Sequence, residues 1–462
     1  MKIGRYEIKG LLGRGGMGAV YKAAMPVTGR IVALKVLKPA DILEDLVGMD
    51  RLTTMFLKEA RTMASISHAN IASILDVHEG QDTTAPHFAM EYFCGNLGVI
   101  MGEHYEVEKP SRRLGVEASL HIANQMLSGL DRLHFEGIIH RDVKPFNVML
   151  AEEEGGTGHV KLIDFGLSKL RGETTRGPKG MVVGSPYYTA PEQEADPEAA
   201  DTRSDIFSVG VTLYRMLTGE LPTEDPIHRR PMNELHPDLG ADWDALFARA
   251  LAPNPADRFS DALDMIDALG TLKSLWIEQT ASVCSAPGIL DAPPIHSSDW
   301  SPRTKPLKVS AKSACATFGL DELWRPTRYA KGTFSRKGPT IHDASTGLVW
   351  ETEASRYPLS WDRAHGYIDR LNRKALDNRT NWRLPTLDEL MTLFTGRTEP
   401  GDFCQQSIFD PRKARLWSGD MKAFTAAWYV DAELGFVWWQ DRTCRFFVRG
   451  VCEEKSESSR RV

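Results

Sequence analysis

His140-Arg141-Asp142-Val143-Lys144-Pro145-Phe146-Asn147 is the stretch on which the reading of this 462-residue chain turns. Five polar groups at fixed spacing end one helical pattern and precede a short strand, and such a density of polar side chains between two regular elements needs a chemical reason. Downstream, the β-type run Val160 to Ile163 leads into Asp164-Phe165-Gly166. That order gives a carboxylate at 164 and an amide at 147 that can share a divalent metal through oxygen. Ala190-Pro191-Glu192 closes the loop that begins there.

Working outward, Gly13-Arg14-Gly15-Gly16-Met17-Gly18-Ala19-Val20 lies between two predicted strands, where glycines allow backbone to approach phosphate oxygens. A dinucleotide-binding loop would require a helix next, whereas the strand Ala19 to Ala24 follows. Val32-Ala33-Leu34-Lys35 sets one lysine on an otherwise apolar strand. A helix from about Thr53 to Ser65, with Phe56, Ala60 and Met63 on one face, offers Glu59 as the carboxylate to fix that ammonium. Short β-type runs over Tyr6 to Leu12, Ile31 to Leu37, Ile71 to His78 and His87 to Tyr92 complete a strand-rich lobe. After Gly115 the character turns helical, beginning with Leu120, Ala123, Leu127 and Leu130.

Taken in this order, the motifs resemble those of Hanks-type protein kinases, close to the bacterial serine/threonine branch, over about Tyr6 to Leu275. The resemblance implies an α+β chain with a bilobal kinase fold, an N-lobe over about 1–93 and a C-lobe over about 94–275. It implies ATP and Mg2+ as cofactors. Leu12, Val20 and Ala33 would line the adenine pocket, Met90 would be the gatekeeper, and Glu91 to Phe93 the hinge. Gly13, Gly15, Gly16 and Gly18 would cover the phosphates, Lys35 would hold the α and β phosphates, and Glu59 would pair with Lys35. Asn147 and Asp164 would bind magnesium, Asp142 would orient the acceptor hydroxyl and take its proton, and Lys144 would neutralise charge on the transferred group. Ser185 replaces the threonine more usual there and still offers a hydroxyl to Asp142 and Lys144. Arg141 is the residue that in this family couples activity to activation-loop phosphorylation, for which Thr174 and Thr175 are the candidate acceptors. Asp205 would anchor the catalytic-loop backbone, and Arg258 would pair with Glu192. The partners implied are proteins bearing Ser or Thr, and a homodimer for trans-autophosphorylation is conceivable. Because every catalytic position holds its usual residue type, transfer of the ATP γ-phosphoryl group is favoured over the alternative of a nucleotide-binding scaffold.

A Pro-, Ser- and Lys-rich stretch centred on Ala281 to Ser313 shows no sustained periodicity, and 276–323 is read as a linker. Beyond it, Trp324, Trp350, Trp361, Trp382, Trp417, Trp428, Trp438 and Trp439 mark a second core over 324–454, followed by a solvated tail over 455–462. Ser360 is placed to cap a helix carrying Trp361, Ala364, Ile368 and Leu371, and Thr386 with Glu389 forms a capping box. Strands are expected over Ala427 to Val430, Phe436 to Trp439 and Arg445 to Val451. The Thr-Gly-Leu-x-Trp and Trp-Arg-Leu-Pro-Thr elements and the ending Val448-Arg449-Gly450-Val451-Cys452 resemble the Lcl C-terminal domain family, similar to C-type-lectin-like folds. This implies a small α+β module binding an unidentified ligand or partner, either regulating the kinase or independent of it. Its tryptophans read first as core, and Asp402, Asp410 and Asp420 as solvated loop carboxylates lacking calcium-ligand spacing.

The net charge of −6 offers no global attraction for nucleic acid. The first residues lack a secretion signal's apolar core and no later stretch reaches membrane-spanning length, so no membrane span and a cytoplasmic location are expected. The six cysteines show no zinc-ligand spacing and are expected as thiols, with a disulfide among Cys404, Cys444 and Cys452 conceivable.

Overall fold

Alternation of side chains across a strand and the apolar stripe of a helix account for most of the architecture. The computed structural model describes residues 1–15, 17–80, 84–103, 109–151, 159–164, 186–223, 229–236, 238–282, 296–297, 301–395 and 404–454. Two compact units emerge, the first drawn from residues before 285 and the second chiefly from those after.

The first unit opens with strands β1 (Lys2–Ile3), β2 (Tyr6–Gly15), β3 (Gly18–Ala24) and β4 (Ile31–Leu37), then helices α1 (Asp41–Val47) and α2 (Met49–Ser65), then β5 (Ile74–His78) and β6 (His87–Glu91). The strands form one antiparallel sheet in the order β1-β2-β3-β4-β6-β5. Tyr6, Ala23, Val32, Leu34, Val36 and Ala89 make its core on one side. Helix α2 buries Leu52, Phe56, Ala60 and Met63, with the Phe56 and Phe88 rings 5.1 Å apart. Helix α1 was not expected: it buries no residue, so no apolar stripe announced it.

The helical part follows with β7 (Gly95–Asn96), α3 (Leu97–Met101) and α4 (Val116–Phe135), the last burying Leu120, Ala123, Leu127 and Leu130 at the anticipated spacing. Strands β8 (Val148–Ala151) and β9 (His159–Leu162) pair beside β7. Then come α5 (Pro191–Ala195), α6 (Thr202–Thr218), α7 (Met232–Leu235), α8 (Ala241–Ala250) and α9 (Ala262–Ser282). Helix α6 is buried along nearly its whole length, starts with an Asp201/Ser204 capping box and ends at Gly219 in the left-handed region.

The second unit has a four-stranded antiparallel sheet of Phe334–Lys337, Thr340–Asp343, Leu348–Glu351 and Val451–Glu453, and a three-stranded one of Arg415–Ala423, Ala426–Asp431 and Phe436–Asp441. Helices Trp361–Arg373 and Leu387–Met391 flank them. The capping box of Thr386 and Glu389 forms as read, whereas Ser360 occupies the N-cap position without making a side-chain cap bond. The expected strand over Arg445 to Val451 is broken, leaving Arg445–Phe446 and Val451–Glu453. The backbone between them instead serves other elements, as when Val448 N donates to Ser355 Oγ at 3.0 Å.

Tryptophans dominate this core. Trp350, Trp417 and Trp428 are fully buried, and the indole N–H groups of Trp361, Trp382, Trp417 and Trp428 each donate to a backbone carbonyl at 2.8 to 3.2 Å. A buried indole so satisfied is doing structural work. Two readings need correction. Val309, Ala314, Phe318 and Leu320 belong to this core although 276–323 was read as linker. Their apolar positions are few and lie beyond Pro302 and Pro306, so no period showed. Asp420 is not solvated but fully buried, ion-paired with Arg303 at 2.9 Å; Asp410 is partly buried and pairs with Arg412, and Asp402 lies outside the described residues. Cys315 and Cys452 are free cysteines. Among the described residues no helix is long and apolar enough to cross a membrane.

Candidate active site

Antiparallel register assembles one wall. Gly13 lies opposite Val20, Val20 opposite Lys35 and Lys35 opposite Phe88, while Ala33 lies opposite Met90. Directly opposed residues, and those two apart, share a sheet face, so Gly13, Val20, Ala33, Lys35 and Met90 line one surface. Leu12 falls at a register irregularity of β2 and is 47% exposed. At the end of β6, the Glu91 carboxylate accepts from Ser73 N at 3.0 Å and Lys161 Nζ at 2.9 Å, bracing the chain before Tyr92 and Phe93.

The glycines of the β2–β3 hairpin divide by cause. A Cβ on Gly18 would lie 2.1 Å from Val36 O, so close packing of the backbone dictates that glycine. At Gly13 and Gly15 a Cβ would meet nothing within 4 Å, and neither has positive φ. Nothing in the chain itself requires glycine there, which fits a cradle for a phosphate-bearing ligand. Gly18→Ala is therefore expected to lower the melting temperature of the first unit. Gly15→Ala should leave melting unchanged and weaken ATP binding, both measurable by calorimetry; equal melting of the two variants would contradict this division.

Lys35 is the hinge of the charge arrangement. Its Nζ lies 3.2 Å from Glu59 Oε1 and 2.8 Å from Asp164 Oδ1, joining α2 to the end of the segment after β9. Burial acts to lower the lysine pKa, but the Asp164 and Glu59 carboxylates outweigh it and hold the ammonium above the ordinary lysine value.

The catalytic-loop candidates converge from the other side. Lys144 Nζ donates to both Asp142 oxygens, at 2.8 and 3.1 Å. Asn147 Nδ2 donates to Asp142 O at 2.7 Å and Asp142 Oδ2 at 2.8 Å, which turns its Oδ1 elsewhere as an acceptor. Ile163 N bonds Asn147 O at 3.1 Å, so Asn147 and Asp164 sit one backbone bond apart. Two hard oxygen donors suit a magnesium-sized cation that completes its shell with water and phosphate; among the described residues no cluster of three or more His, Cys, Asp or Glu could hold a metal alone.

Asp205, fully buried on α6, accepts from His140 N at 2.8 Å and Arg141 N at 2.7 Å, and its Oδ2 lies 2.8 Å from His134 Nε2. These bonds hold Arg141 at φ +67°; Asp164 has φ +60°. Non-glycine residues in the left-handed region persist only where surroundings over-determine them. Burial lowers the His140 pKa against the opposing carboxylates of Asp205, Asp142 and Asp164, so its Nδ1 can accept from Asp142 N. Glu192 is gripped by Arg258 at 2.7 Å through both guanidinium nitrogens and by Ser204 Oγ at 2.6 Å. Burial raises the Glu192 pKa, but Arg258 and Ser204 outweigh it and hold the carboxyl below its usual range.

The structure thus brings together Lys35, Glu59, Asp142, Lys144, Asn147 and Asp164, and pairs Arg258 with Glu192 and Asp205 with the backbone of 140–141. Gly16, Phe165, Gly166, Thr174, Thr175 and Ser185 lie outside the described residues. Sequence reasoning missed Glu103 and Arg215, whose ion pair is buried on both sides. No motif signalled them.

The strand-rich part and the helical part of the first unit thus each contribute charged groups to one set of bonds. The protein kinase domain model matches residues 6–268, more than half of the sequence, and the chain belongs to the protein kinase family. The Lcl C-terminal domain model matches residues 339–452. Serine/threonine-protein kinase pkn3 of Myxococcus xanthus is 34% identical over 280 residues, 56% of this chain and 48% of that protein. Serine/threonine-protein kinase PksC of Streptomyces coelicolor is 35% identical over 283 residues, 57% of this chain and 48% of that protein. The chain spans about half the length of these curated relatives. The kinase domain of PknI from Mycobacterium tuberculosis is 28% identical, covering 59% of this chain and 97% of that one, with a TM-score of 0.43.

Proposed function

We propose that the chain is a serine/threonine protein kinase that moves the γ-phosphoryl group of ATP to Ser or Thr hydroxyls of proteins, its own included, with the second unit binding a ligand or partner. The observation that carries this is one continuous set of bonds, Glu59–Lys35–Asp164 and, through Ile163, Asn147–Asp142–Lys144. The kinase relatives and the match over residues 6–268 support it.

In this reading Lys35 holds the α and β phosphates. Asn147 and Asp164 would hold magnesium, which when bound would neutralise phosphate oxygens. Asp142 accepts the hydroxyl proton as the oxygen attacks phosphorus and the bond to the β-phosphate oxygen breaks, and Lys144, on the same carboxylate, offsets charge on the transferred group. Little covalent work falls to the protein, so positioning and charge carry the rate. Thr174 and Thr175 are the proposed activation-loop acceptors, Ser185 the proposed hydroxyl partner of Asp142 and Lys144, and a second copy of the chain the proposed partner for phosphorylation in trans.

Incubation with γ-labelled ATP, magnesium and histone should place label on serine and threonine of the protein and the histone. Normal nucleotide binding without label on either would favour the scaffold reading.

A further inference from the structure

Helix α1 is apolar where nothing covers it. Ile42 and Leu46 stand one turn apart and are 75% and 79% exposed, and Met49, the first residue of α2, is 40% exposed. Leu43 and Val47 are only partly buried, and no residue of the helix is buried. A surface helix ordinarily turns its apolar stripe to the core, and an isolated helix below about 12 residues is marginal in water. Seven residues with no side-chain cap at Ala40 therefore gain little from propensity or from packing. Exposed apolar residues scattered singly need no explanation, but a pair on one face of an uncovered helix, with a third three positions on, does.

The charge around this stripe selects its occupant. Asp41, Glu44, Asp45 and Asp50 are all exposed, α1 has no basic residue, and among the described residues none of the four makes an ion pair. Lys38 and Arg51, at the two ends of the stretch, offset only half of that charge. Such a surface repels nucleic acid and the anionic face of a membrane. A second copy pairing α1 on α1 about a twofold axis would set like carboxylates against each other. What remains complementary is a protein segment carrying apolar residues together with Lys or Arg, the composition of a basic amphipathic helix.

We propose that α1 and the start of α2 form a docking surface for a basic amphipathic segment of a partner protein, with Ile42, Leu46 and Met49 supplying the apolar contact and the four carboxylates meeting its cations. Gly48, at φ +84°, joins α1 to α2, its N–H donating to Glu44 O at 2.9 Å and its carbonyl accepting from Leu52 N at 3.1 Å. The surface thus adjoins the helix that presents Glu59 to Lys35.

The probe is a fluorescent peptide of about 14 residues, leucine on one helical face and lysine on the other, titrated with the full chain. The wild-type chain should bind it, and Ile42→Ser with Leu46→Ser, which leaves every charge in place, should weaken binding about tenfold or more. Asp41→Asn, Glu44→Gln and Asp45→Asn together should weaken it by a similar factor and flatten its dependence on salt. The altered side chains are exposed, so melting temperatures should stay near wild type. If the double serine variant melts early, Leu46→Ala alone decides, with an expected loss of about threefold. Binding by the double serine variant equal to wild type would mean charge attraction without a docking surface and overturns the proposal, as does absence of binding by the wild-type chain. Self-association of the wild-type chain that Leu46→Ser abolishes, read by sedimentation, makes a second copy the occupant and likewise overturns it.

Discussion

Asp142→Asn is expected to slow phosphoryl transfer to histone about a thousandfold while leaving the melting temperature and ATP affinity near wild type. The substitution is isosteric, and an amide oxygen can still accept from Lys144 Nζ and Asn147 Nδ2, which now hold the carboxylate at 2.8 Å each. What disappears is the negative charge that receives the hydroxyl proton. Single-turnover rates with saturating ATP, alongside calorimetric nucleotide binding, separate the two effects. Transfer retained within a few fold would remove Asp142 from the proposed role.

The second large effect belongs to the other unit. Arg303→Ala is expected to destabilise it by about 3 kcal/mol or more, the usual consequence of leaving a buried charge without its partner. Asp420 has no exposed side-chain surface, and Arg303 supplies bonds of 2.9 and 3.0 Å to its two oxygens. The backbone N–H groups of Leu307 and Leu387 complete the shell at 2.5 and 2.7 Å. For a unit of this size the thermal transition should fall by roughly 10 °C, read as a shift of one transition in a calorimetric scan of the intact chain. An unmoved transition would show that residues near 303 do not belong to the folded unit.

That second case shows where the sequence is opaque. Pro302 and Pro306 look like spacer, yet the arm they punctuate delivers Arg303 to Asp420 and Val309 to the indole of Trp428. A residue that matters by its distant partner carries no local period. By contrast, His140 to Asn147, Lys35 and Asp164 were legible because phosphate chemistry demands particular groups at particular spacings, and β4 was read end to end because its apolar run is bounded cleanly. Glu59 had only helical phase to recommend it and gained meaning from Lys35. Glu103 and Arg215 lie 112 positions apart on segments with no shared motif, so only the folded chain joins them. Gly18 and Gly15 look alike in sequence and differ only once Val36 O is in place.

One carboxylate, on Asp205, holds the left-handed turn at Arg141 in place from within α6. Changes in the first turn of that helix, at a residue no nucleotide would touch, are therefore expected to bear on the proposed transfer as heavily as changes to groups meeting the phosphates. A census of ligand-contacting side chains undercounts what the reaction depends on.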